Sequence, residues 1–437
     1  MSRSSKFLTA VLVGAISAVG TPSAVEADPI ARKSATGTVA VPDSPAAAEF
    51  RKGIQQLANG QLAQAETSFI AASNLDPKMP GPLLGLADIA LKQGARPVAE
   101  NWLRKASAAA PKSPETQLGW GRFYVAVGDA AKAEKAFRSA IDLNPKAAPA
   151  YLELGQLYIV RREYDPAVVQ FRKAAELRPD DASAWHGLGV ALAAGGKTSE
   201  AVTPLAEAAR LAPKDAVALR ALARLHAEGR QYDKSLAAID QAILRAPEAI
   251  ALRLDRADII YAKGDMQVAQ AEYRDLVQRD PKLAPAHFRL GEIQVRAGDL
   301  PGAEAAFADT VKHNPEHVFA LNNLAWIAAE RKANLDQALE WARRAAELSP
   351  NAPQIRDTLG WVYRARGDLD NARTELERAA AASQDSGEPA YHLGVVLEEQ
   401  GKRADAAAAF ARALKQPLGR DSAADAKKRL QALSTQR

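Results

Sequence analysis

Proline recurs along this sequence at an almost constant interval. Eight prolines follow one another at a spacing of 34 residues and a ninth follows after 35: Pro77, Pro111, Pro145, Pro179, Pro213, Pro247, Pro281, Pro315 and Pro350. A fixed period of this length is typical of repeat proteins, in which one supersecondary unit is stacked on copies of itself. The chain is therefore predicted to fold as about eleven copies of one short unit.

Other residues keep the same period when the proline is numbered position 32 and the first repeat begins at Ala46. Position 8 is Gly or Ala, position 20 is nearly always Ala, and position 24 is often large, as in Phe137 and Phe307. These positions fall on one face of each of two helices, where small residues allow a close approach and the large residue fills the space beside them. Gly128-Asp129 and similar pairs supply a turn between the helices, and proline ends the second helix. Each repeat is thus predicted to be an antiparallel helix pair.

One stretch shows the whole pattern: AYLELGQLYIVRREYDPAVVQFRKAAELRPD, residues 150–180. This pattern resembles the tetratricopeptide repeat (TPR) family, and the resemblance extends over about 46–420. It implies an all-α fold, a right-handed superhelical solenoid of about eleven helix pairs. Gln384 replaces the proline of the tenth repeat, in the polar junction SQDSGEP. Residues 421–437 are predicted to form a capping helix and tail that cover the apolar face of the last repeat, with Asp421 or Ser422 as N-cap.

The first 27 residues are predicted to be a signal peptide. Arg3 and Lys6 precede the apolar run at 7–20, and small residues near Ala27 place cleavage before Asp28. The alternative for the apolar run is a buried helix. Residues 28–45 have no helical period and are expected to be a flexible N-terminal segment. The chain is therefore expected in the periplasm or outside the cell. Since it contains no cysteine, a lipid anchor on cysteine is excluded and membrane association is expected only through partners.

The sequence gives little reason to expect catalysis or a bound cofactor. Basic and acidic residues are interleaved and the net charge is only +5, so nucleic acid is not expected as a partner. His313 and His317 have the spacing of a metal pair, but Pro315 lies between them and prevents a shared helical face. No phosphate-binding glycine loop or nucleophile motif is present. The protein is predicted to be non-catalytic and to hold no metal or cofactor.

The family resemblance implies a binding groove lined by the first helix of each pair, at repeat positions 2, 5, 9, 12 and 13. Trp326 and Trp361 both fall at position 9, and aromatic and arginine side chains are favoured at binding hot spots. Two interpretations remain: the rings contact a partner, or they pack on neighbouring helices. The predicted partner-binding groove comprises Phe288, Arg296, Phe319, Asn322, Trp326, Asp357, Trp361 and Arg364.

The most favoured function is a protein–protein interaction scaffold of the bacterial cell envelope that binds a peptide or partner protein in this groove. The strings LNNLAW (321–326) and DTLGWVY (357–363) are similar to repeats of bacterial TPR proteins of envelope and exopolysaccharide export, including those of PEP-CTERM sorting systems. This similarity implies a role in assembling a secretion or exopolysaccharide export complex. The alternative is a periplasmic chaperone-like subunit that presents clients to a maturation enzyme.

Overall fold

A computed structural model describes residues 44–435 of the chain, and these residues form helices with no strand among them. The chain divides into two compact units, with the boundary between Glu248 and Ala249. The first unit contains six helix pairs in its described part: α1 (Pro45–Ala58), α2 (Leu62–Leu75), α3 (Pro80–Lys92), α4 (Arg96–Ala109), α5 (Pro114–Val127), α6 (Ala130–Leu143), α7 (Ala148–Val160), α8 (Tyr164–Leu177), α9 (Ala182–Ala194), α10 (Thr198–Leu211), α11 (Val217–Glu228) and α12 (Tyr232–Arg245).

The second unit contains five more pairs and a final single helix. Its elements are α13 (Ile250–Lys263), α14 (Met266–Arg279), α15 (Ala284–Ala297), α16 (Leu300–His313), α17 (Val318–Arg331), α18 (Leu335–Leu348), α19 (Pro353–Ala365), α20 (Leu369–Ala382), α21 (Glu388–Glu399), α22 (Arg403–Ala413) and α23 (Arg420–Thr435). In each unit the two helices of a pair pack on each other, and the second helix also packs on the first helix of the next pair. The all-α solenoid predicted from the period is thereby confirmed.

In the core of each pair, the residue at position 8 of the first helix packs against the residue at position 24 of the second helix. Phe137 and Phe307 are fully buried. A Cβ atom added to Gly291 would lie 2.5 Å from the ring of Phe307, and one added to Gly121 would strike the ring of Phe137. Glycine is therefore required at these positions because the ring of the second helix lies directly against the backbone of the first.

The turn inside each pair has one left-handed residue at position 15. Glycine takes this conformation in eight of the described repeats, and Arg162, Arg230 and Lys332 take it in the other three. The amide of the next residue then bonds back into the helix, as from Asp129 N to the carbonyl of Tyr124 at 2.8 Å. This is the geometry by which helices commonly end in a left-handed residue. The extra residue of the ninth repeat lies in its turn, where Asn334 is also left-handed.

The second helix of most pairs ends two residues before the periodic proline, as α4 ends at Ala109 before Pro111. In the tenth repeat α20 ends at the matching place without a proline. There the hydroxyl of Ser383 donates to the carbonyl of Ser386 at 2.7 Å, and the Gln416 side-chain amide donates to the carbonyl of Ser383 at 3.1 Å. Side-chain hydrogen bonds thus replace proline at this junction.

Helix α23 packs on the last pair, and its Ala426 is buried in a cluster with Tyr391 and Phe410. The helix begins at Arg420, so the prediction that Asp421 or Ser422 caps it is wrong. Both residues lie inside its first turn. The hydroxyl of Ser422 instead donates to the buried carboxylate of Glu388 at 2.9 Å, and the amide of Gly419 donates to the same carboxylate at 3.0 Å.

The predicted signal peptide at 1–27 and residues 28–43 of the predicted flexible segment 28–45 lie outside the described residues and stay predictions. The prediction is wrong for the last two residues of that segment, because Ser44 caps α1 and Pro45 begins it. Ser44 is the N-cap of α1, and its hydroxyl oxygen accepts a hydrogen bond from the amide of Ala47 at 3.1 Å. Between residues 44 and 435, none of the helices has the length and apolar character needed to cross a membrane.

Candidate functional site

The eight predicted groove residues all lie on α15, α17 and α19 in the second unit. We call positions 2, 5, 9, 12 and 13 of the first helices the groove row. The exposure of the eight side chains divides them into three groups. Phe288, Asn322, Trp326 and Asp357 are buried, Trp361 and Arg364 are half-buried, and Arg296 and Phe319 are exposed.

The buried aromatic residues of the groove row are part of the core. Trp326 is 6% exposed and shares a cluster with Phe288, Phe307 and Ile327. The ring of Phe288 lies 5.6 Å from that of Phe307 and 4.4 Å from that of His317. Of the two interpretations, packing on neighbouring helices therefore applies to Trp326, and its place in the predicted partner-binding groove is corrected. Its position in the repeat is that of a groove residue, but rings of adjacent helices cover it.

Trp361 has a different environment, because its ring is half-buried and held from several sides. Its indole N–H donates to the carboxylate of Glu330 at 2.7 Å. The ring centroid lies 4.2 Å from that of His392 and 4.3 Å from the guanidinium carbon of Arg364. The indole therefore keeps a fixed orientation while part of it remains accessible, which limits the rotamer entropy lost when a partner covers it.

Arg364 is fixed in turn by Glu399 of the next pair. Its Nε lies 3.0 Å from Oε1 and its Nη2 lies 2.5 Å from the same atom. Both side chains are about one-quarter to one-third exposed, so the pair adds little stability on its own. Its effect is to set the plane of the guanidinium over the Trp361 ring, an arrangement that also provides a cation–π contact.

Beneath Trp361 lies a buried ion pair. Nδ1 of His392 is 2.9 Å from both carboxylate oxygens of Asp357, and both residues are less than a tenth exposed. Burial by itself would lower the pKa of the His392 imidazole. The charges of Asp357, Glu388 and Glu330, with the hydrogen bond that the imidazole donates to Asp357, outweigh burial and raise that pKa. The His392–Asp357 pair thus joins α19 to α21 below the aromatic surface.

A second buried polar group lies on α13 and α15. The carboxylate of Glu292 is almost completely buried and accepts a hydrogen bond from Arg289 at 2.8 Å. Arg289 also contacts Asp258 at 3.2 Å, and burial raises the pKa of both carboxyl groups despite the attraction of Arg289. The guanidinium of Arg296 lies 5.3 Å from the ring of Tyr261. This group stabilises the packing of α15 on α13 and leaves Arg296 exposed at the surface.

Asn322 and Phe319 complete the predicted set on α17. The side-chain oxygen of Asn322 is buried and accepts no hydrogen bond within the described structure. Phe319 is 36% exposed at position 2 of the same helix. The surface that these residues offer to a partner consists of Phe319, Trp361, Arg364 and Arg296, and we call these four residues the exposed groove set.

Sequence reasoning did not find His392, Glu330 or Glu399, although each orients a residue of the groove row. A signal was present in the spacing. Glu330 and Trp361 are 31 residues apart, and the pairs Asp357–His392 and Arg364–Glu399 are each 35 apart. The first separation is one repeat length less about one helical turn and the other two are one repeat length plus one residue, and both bring side chains of successive first helices together. Searching for complementary residues at these spacings would have identified all three.

The histidines do not form the metal pair that their spacing suggests. His317 is the N-cap of α17, where its Nδ1 accepts a hydrogen bond from the amide of Ala320 at 3.2 Å. His313 stacks on His287 with ring centroids 6.2 Å apart. In residues 44–435 no group of three or more His, Asp or Glu side chains is arranged to hold a metal ion.

Comparison with known families identifies the repeat. Two family models, both described as tetratricopeptide repeat, match the chain at residues 56–118 and at residues 220–284, 288–353 and 358–427. A third, described as the middle TPR-like domain of cilia and flagella-associated protein 70, matches residues 98–212. The two tetratricopeptide repeat models together cover more than half of the chain.

The individual proteins and solved structures that resemble the chain have low sequence identity to it or match only a short part of it. The chain is 34% identical over 79 residues to TPR repeat-containing protein PA4667 of Pseudomonas aeruginosa, a match that covers 18% of this chain and 13% of that protein. Among solved structures, yeast Tom70 aligns with a TM-score of 0.43 and 14% identity, covering 82% of this chain and 96% of Tom70. The structure of Naa15/Naa10 bound to HypK-THB aligns with a TM-score of 0.34 and 17% identity, covering 84% of this chain and 68% of that chain.

Proposed function

Because the chain belongs to the tetratricopeptide repeat family, we propose that it is a non-catalytic scaffold that binds a peptide or partner protein through the exposed groove set. The observation that carries this proposal is the environment of Trp361. A half-buried indole is fixed by Glu330, His392 and Arg364 and keeps part of its surface accessible. A rigid aromatic ring next to an arginine is the kind of surface that protein interfaces use as an anchor.

The composition of the exposed groove set favours a partner segment with apolar side chains beside acidic ones. Phe319 and Trp361 offer apolar area, and Arg296 and Arg364 offer guanidinium groups at repeat positions 13 and 12. Arg364 already has a carboxylate partner in Glu399, so an acidic partner residue would compete with a weak, solvent-screened pair. Most of the affinity would then come from covering the rings.

For the cellular role, we propose that the scaffold acts in the bacterial cell envelope and helps to assemble a secretion or exopolysaccharide export complex. The support is the basic and apolar start of the chain, with its small residues before Asp28, and the similarity of residues 321–326 and 357–363 to repeats of envelope proteins. Mass spectrometry of the protein purified from its own cells tests the location. A mature chain that begins at Asp28 supports export, and an intact Met1 in the cytoplasm contradicts it.

Photo-crosslinking in the native cell tests the binding proposal. A benzoylphenylalanine at Phe319 should attach one or a few discrete proteins in stoichiometric amounts. The same residue at Leu244, which is 81% exposed on the second helix α12, is the control and should not give those products. Arg364→Glu, a change at a surface residue, should reduce the Phe319 products. Many weakly attached clients would favour the chaperone-like alternative, and identical products from Phe319 and Leu244 would contradict a specific groove.

A further inference from the structure

The first unit has an open cleft of about 560 Å³ that the groove row does not explain. Its floor is formed by Trp120, Phe123, Tyr124 and Val127 of α5, and the neighbouring second helices α4 and α6 form its rims. These floor residues occupy repeat positions 7, 10, 11 and 14, a different face of α5 from the groove row. We call this site the α5 cleft.

Aromatic rings form most of the floor. Trp120 and Tyr124 are stacked with centroids 5.7 Å apart and an angle of 26°, and Phe123 meets Trp120 edge-on at 5.6 Å. The indole N–H of Trp120 donates to the hydroxyl of Ser107 on α4 at 2.8 Å. The one polar atom of the indole is thus satisfied inside the protein, so an apolar group placed on the ring would not leave the indole N–H unpaired.

The next repeat shows how the same space is otherwise filled. Tyr124 and Val127 occupy positions 11 and 14 of their repeat. In the next repeat these positions are held by Tyr158 in α7 and by Arg161, the residue directly after the end of α7. Arg161 donates to Glu134 of α6 at 2.6 Å, and the Tyr158 hydroxyl donates to the same carboxylate at 2.9 Å. These bonds span the space between the two pairs.

In the α5 cleft this bridge cannot form. Val127 supplies no donor where the next repeat has Arg161. Glu100, at the position equivalent to Glu134, pairs with Arg104 of its own helix at 2.7 Å, just as Glu134 pairs with Arg138, so the residue at position 14 makes the difference. Position 7 is also enlarged, because Trp120 stands where the neighbouring repeats have Leu86 and Leu154. The α5 cleft is therefore a departure from the repeat and not a consequence of it.

The rims are basic at their outer edges. Arg104 on α4 and Lys132 on α6 are 72% and 63% exposed, whereas their acidic partners Glu100 and Asp129 are 39% and 33% exposed. The Lys132 ammonium lies 5.5 Å from the centroid of the Tyr124 ring. A ligand entering between the rims meets two cations before it reaches the rings, which favours an acidic approach.

We propose that the α5 cleft is a second docking site, which takes an aromatic or branched apolar side chain from an acidic segment of a partner protein. The apolar side chain packs on Trp120 and Tyr124, and flanking carboxylates pair with Arg104 and Lys132. The site is independent of the exposed groove set, so a scaffold with both could hold two proteins at once.

A fluorescein-labelled peptide, acetyl-Glu-Asp-Leu-Phe-Asp-Glu amide, titrated with the full-length protein, tests the proposal by fluorescence anisotropy. We expect saturable binding. Val127→Arg should weaken it at least tenfold, because an arginine there can pair with Glu100 as Arg161 pairs with Glu134 and close the cleft. Val125→Arg is the matched control, since Val125 is half-exposed on the same helix but belongs to the groove row. Circular dichroism should show both variants folded.

Two further peptides establish the chemistry. Replacing Leu and Phe by Ala, or the four acidic residues by Lys, should each weaken binding at least tenfold. The proposal is overturned if the first peptide shows no saturation at millimolar protein, if the lysine peptide binds equally well, or if Val125→Arg weakens binding as much as Val127→Arg. The last result would place the peptide on the groove row and would leave the scaffold proposal intact.

Discussion

The two compact units are built from the same kind of repeat but bury different kinds of polar side chain. In the described part of the first unit the buried polar side chains are uncharged: Ser68, Thr116 and Ser235. The second unit buries the charged groups of Glu292, Asp357, Glu388 and His392. Position 5 varies within both units: it is Phe50, Leu84, Leu118, Leu152, His186 and Arg220 in the first unit and Leu254, Phe288, Asn322, Asp357 and Tyr391 in the second.

The difference shows which positions the fold depends on. In both units the helix pair is closed by the small residue at position 8 and the large residue at position 24. The groove row adds to that packing where it is aromatic, as Phe288 does against Phe307, but its residue type is not fixed. The groove row can therefore vary from leucine to a buried carboxylate while the repeat keeps its geometry. In the second unit this freedom supports charged contacts between successive first helices, and those contacts orient Trp361.

The largest expected effect comes from breaking the buried pair of the second unit. His392→Ala leaves the carboxylate of Asp357 buried opposite a cavity, and breaking such pairs typically costs about 3–5 kcal/mol. Hydrogen exchange of the α19 and α21 amides should show this loss, with the amides of α5 unchanged. Local exchange is the appropriate measurement because long repeat arrays do not always unfold as one unit.

A double variant sharpens the comparison. Asp357→Leu with His392→Phe places at position 5 the leucine that three repeats of the first unit have there, and two apolar side chains replace the ion pair. Most of the lost protection should return, because replacing both partners of a buried pair is often nearly neutral. If the double variant lost as much hydrogen-exchange protection as His392→Ala alone, the second unit would require the ion pair itself.

The next largest loss of stability should be equal in the two units. Gly121→Ala and Gly291→Ala each force a methyl group towards the ring of Phe137 or Phe307, and such overpacking costs about 1–3 kcal/mol. Urea denaturation followed by local hydrogen exchange should give similar losses for both. A loss confined to one variant would show that the core closure differs between the units and would remove the basis of the comparison.

A change of pH should move the stability of α21 in the second unit and of α9 in the first unit in opposite directions. The pKa of His392 is raised, so its contribution is complete below the unfolded value of about 6.5 and is lost as pH rises through the folded value. Burial lowers the pKa of His186 in the first unit, and nearby Asp215 only partly opposes this. That contribution is present above the unfolded value and is lost as pH falls.

Hydrogen exchange at pH 8 and pH 6, corrected for the intrinsic rate, measures both effects. On acidification the amides of α21 should become better protected and those of α9 less protected. His317 on α17 also has a pKa lowered by burial, so α17 should behave like α9 although it lies in the second unit. His392→Gln should abolish the response of α21, and persistence of the response would assign it to another group.

Sequence reasoning succeeded where one repeat suffices to determine the structure. The period placed the helix pairs, and Pro111 correctly placed the end of α4. It failed where the answer depends on neighbouring repeats. Trp326 and Trp361 share position 9, yet Trp326 is covered by rings such as Phe288 and Trp361 remains half-exposed. The role of Glu388 in holding α23 depends on contacts 31 and 34 residues away, which no single repeat contains.

The smallest expected effect concerns the left-handed residue at position 15 of the turn inside the helix pair, a feature that both units share. Arg162 in the first unit and Lys332 in the second are exposed and left-handed, with φ of 60° and 50°. Their following residues, Glu163 and Ala333, make the same return hydrogen bonds, at 2.8 and 3.0 Å, that Asp129 makes after Gly128.

A side chain in this conformation costs about 1–2 kcal/mol, and glycine avoids that cost but loses part of the gain because its unfolded chain is more flexible. Arg162→Gly and Lys332→Gly should each stabilise the local pair by about 0.5–1 kcal/mol, measured as slower exchange of the amides on either side of the turn. Gly128→Arg is the reverse control and should cost a similar amount. The comparison would fail if the stability changes of Arg162→Gly and Lys332→Gly differed by more than their experimental error. The two units would then differ in the turn as well as in the groove row.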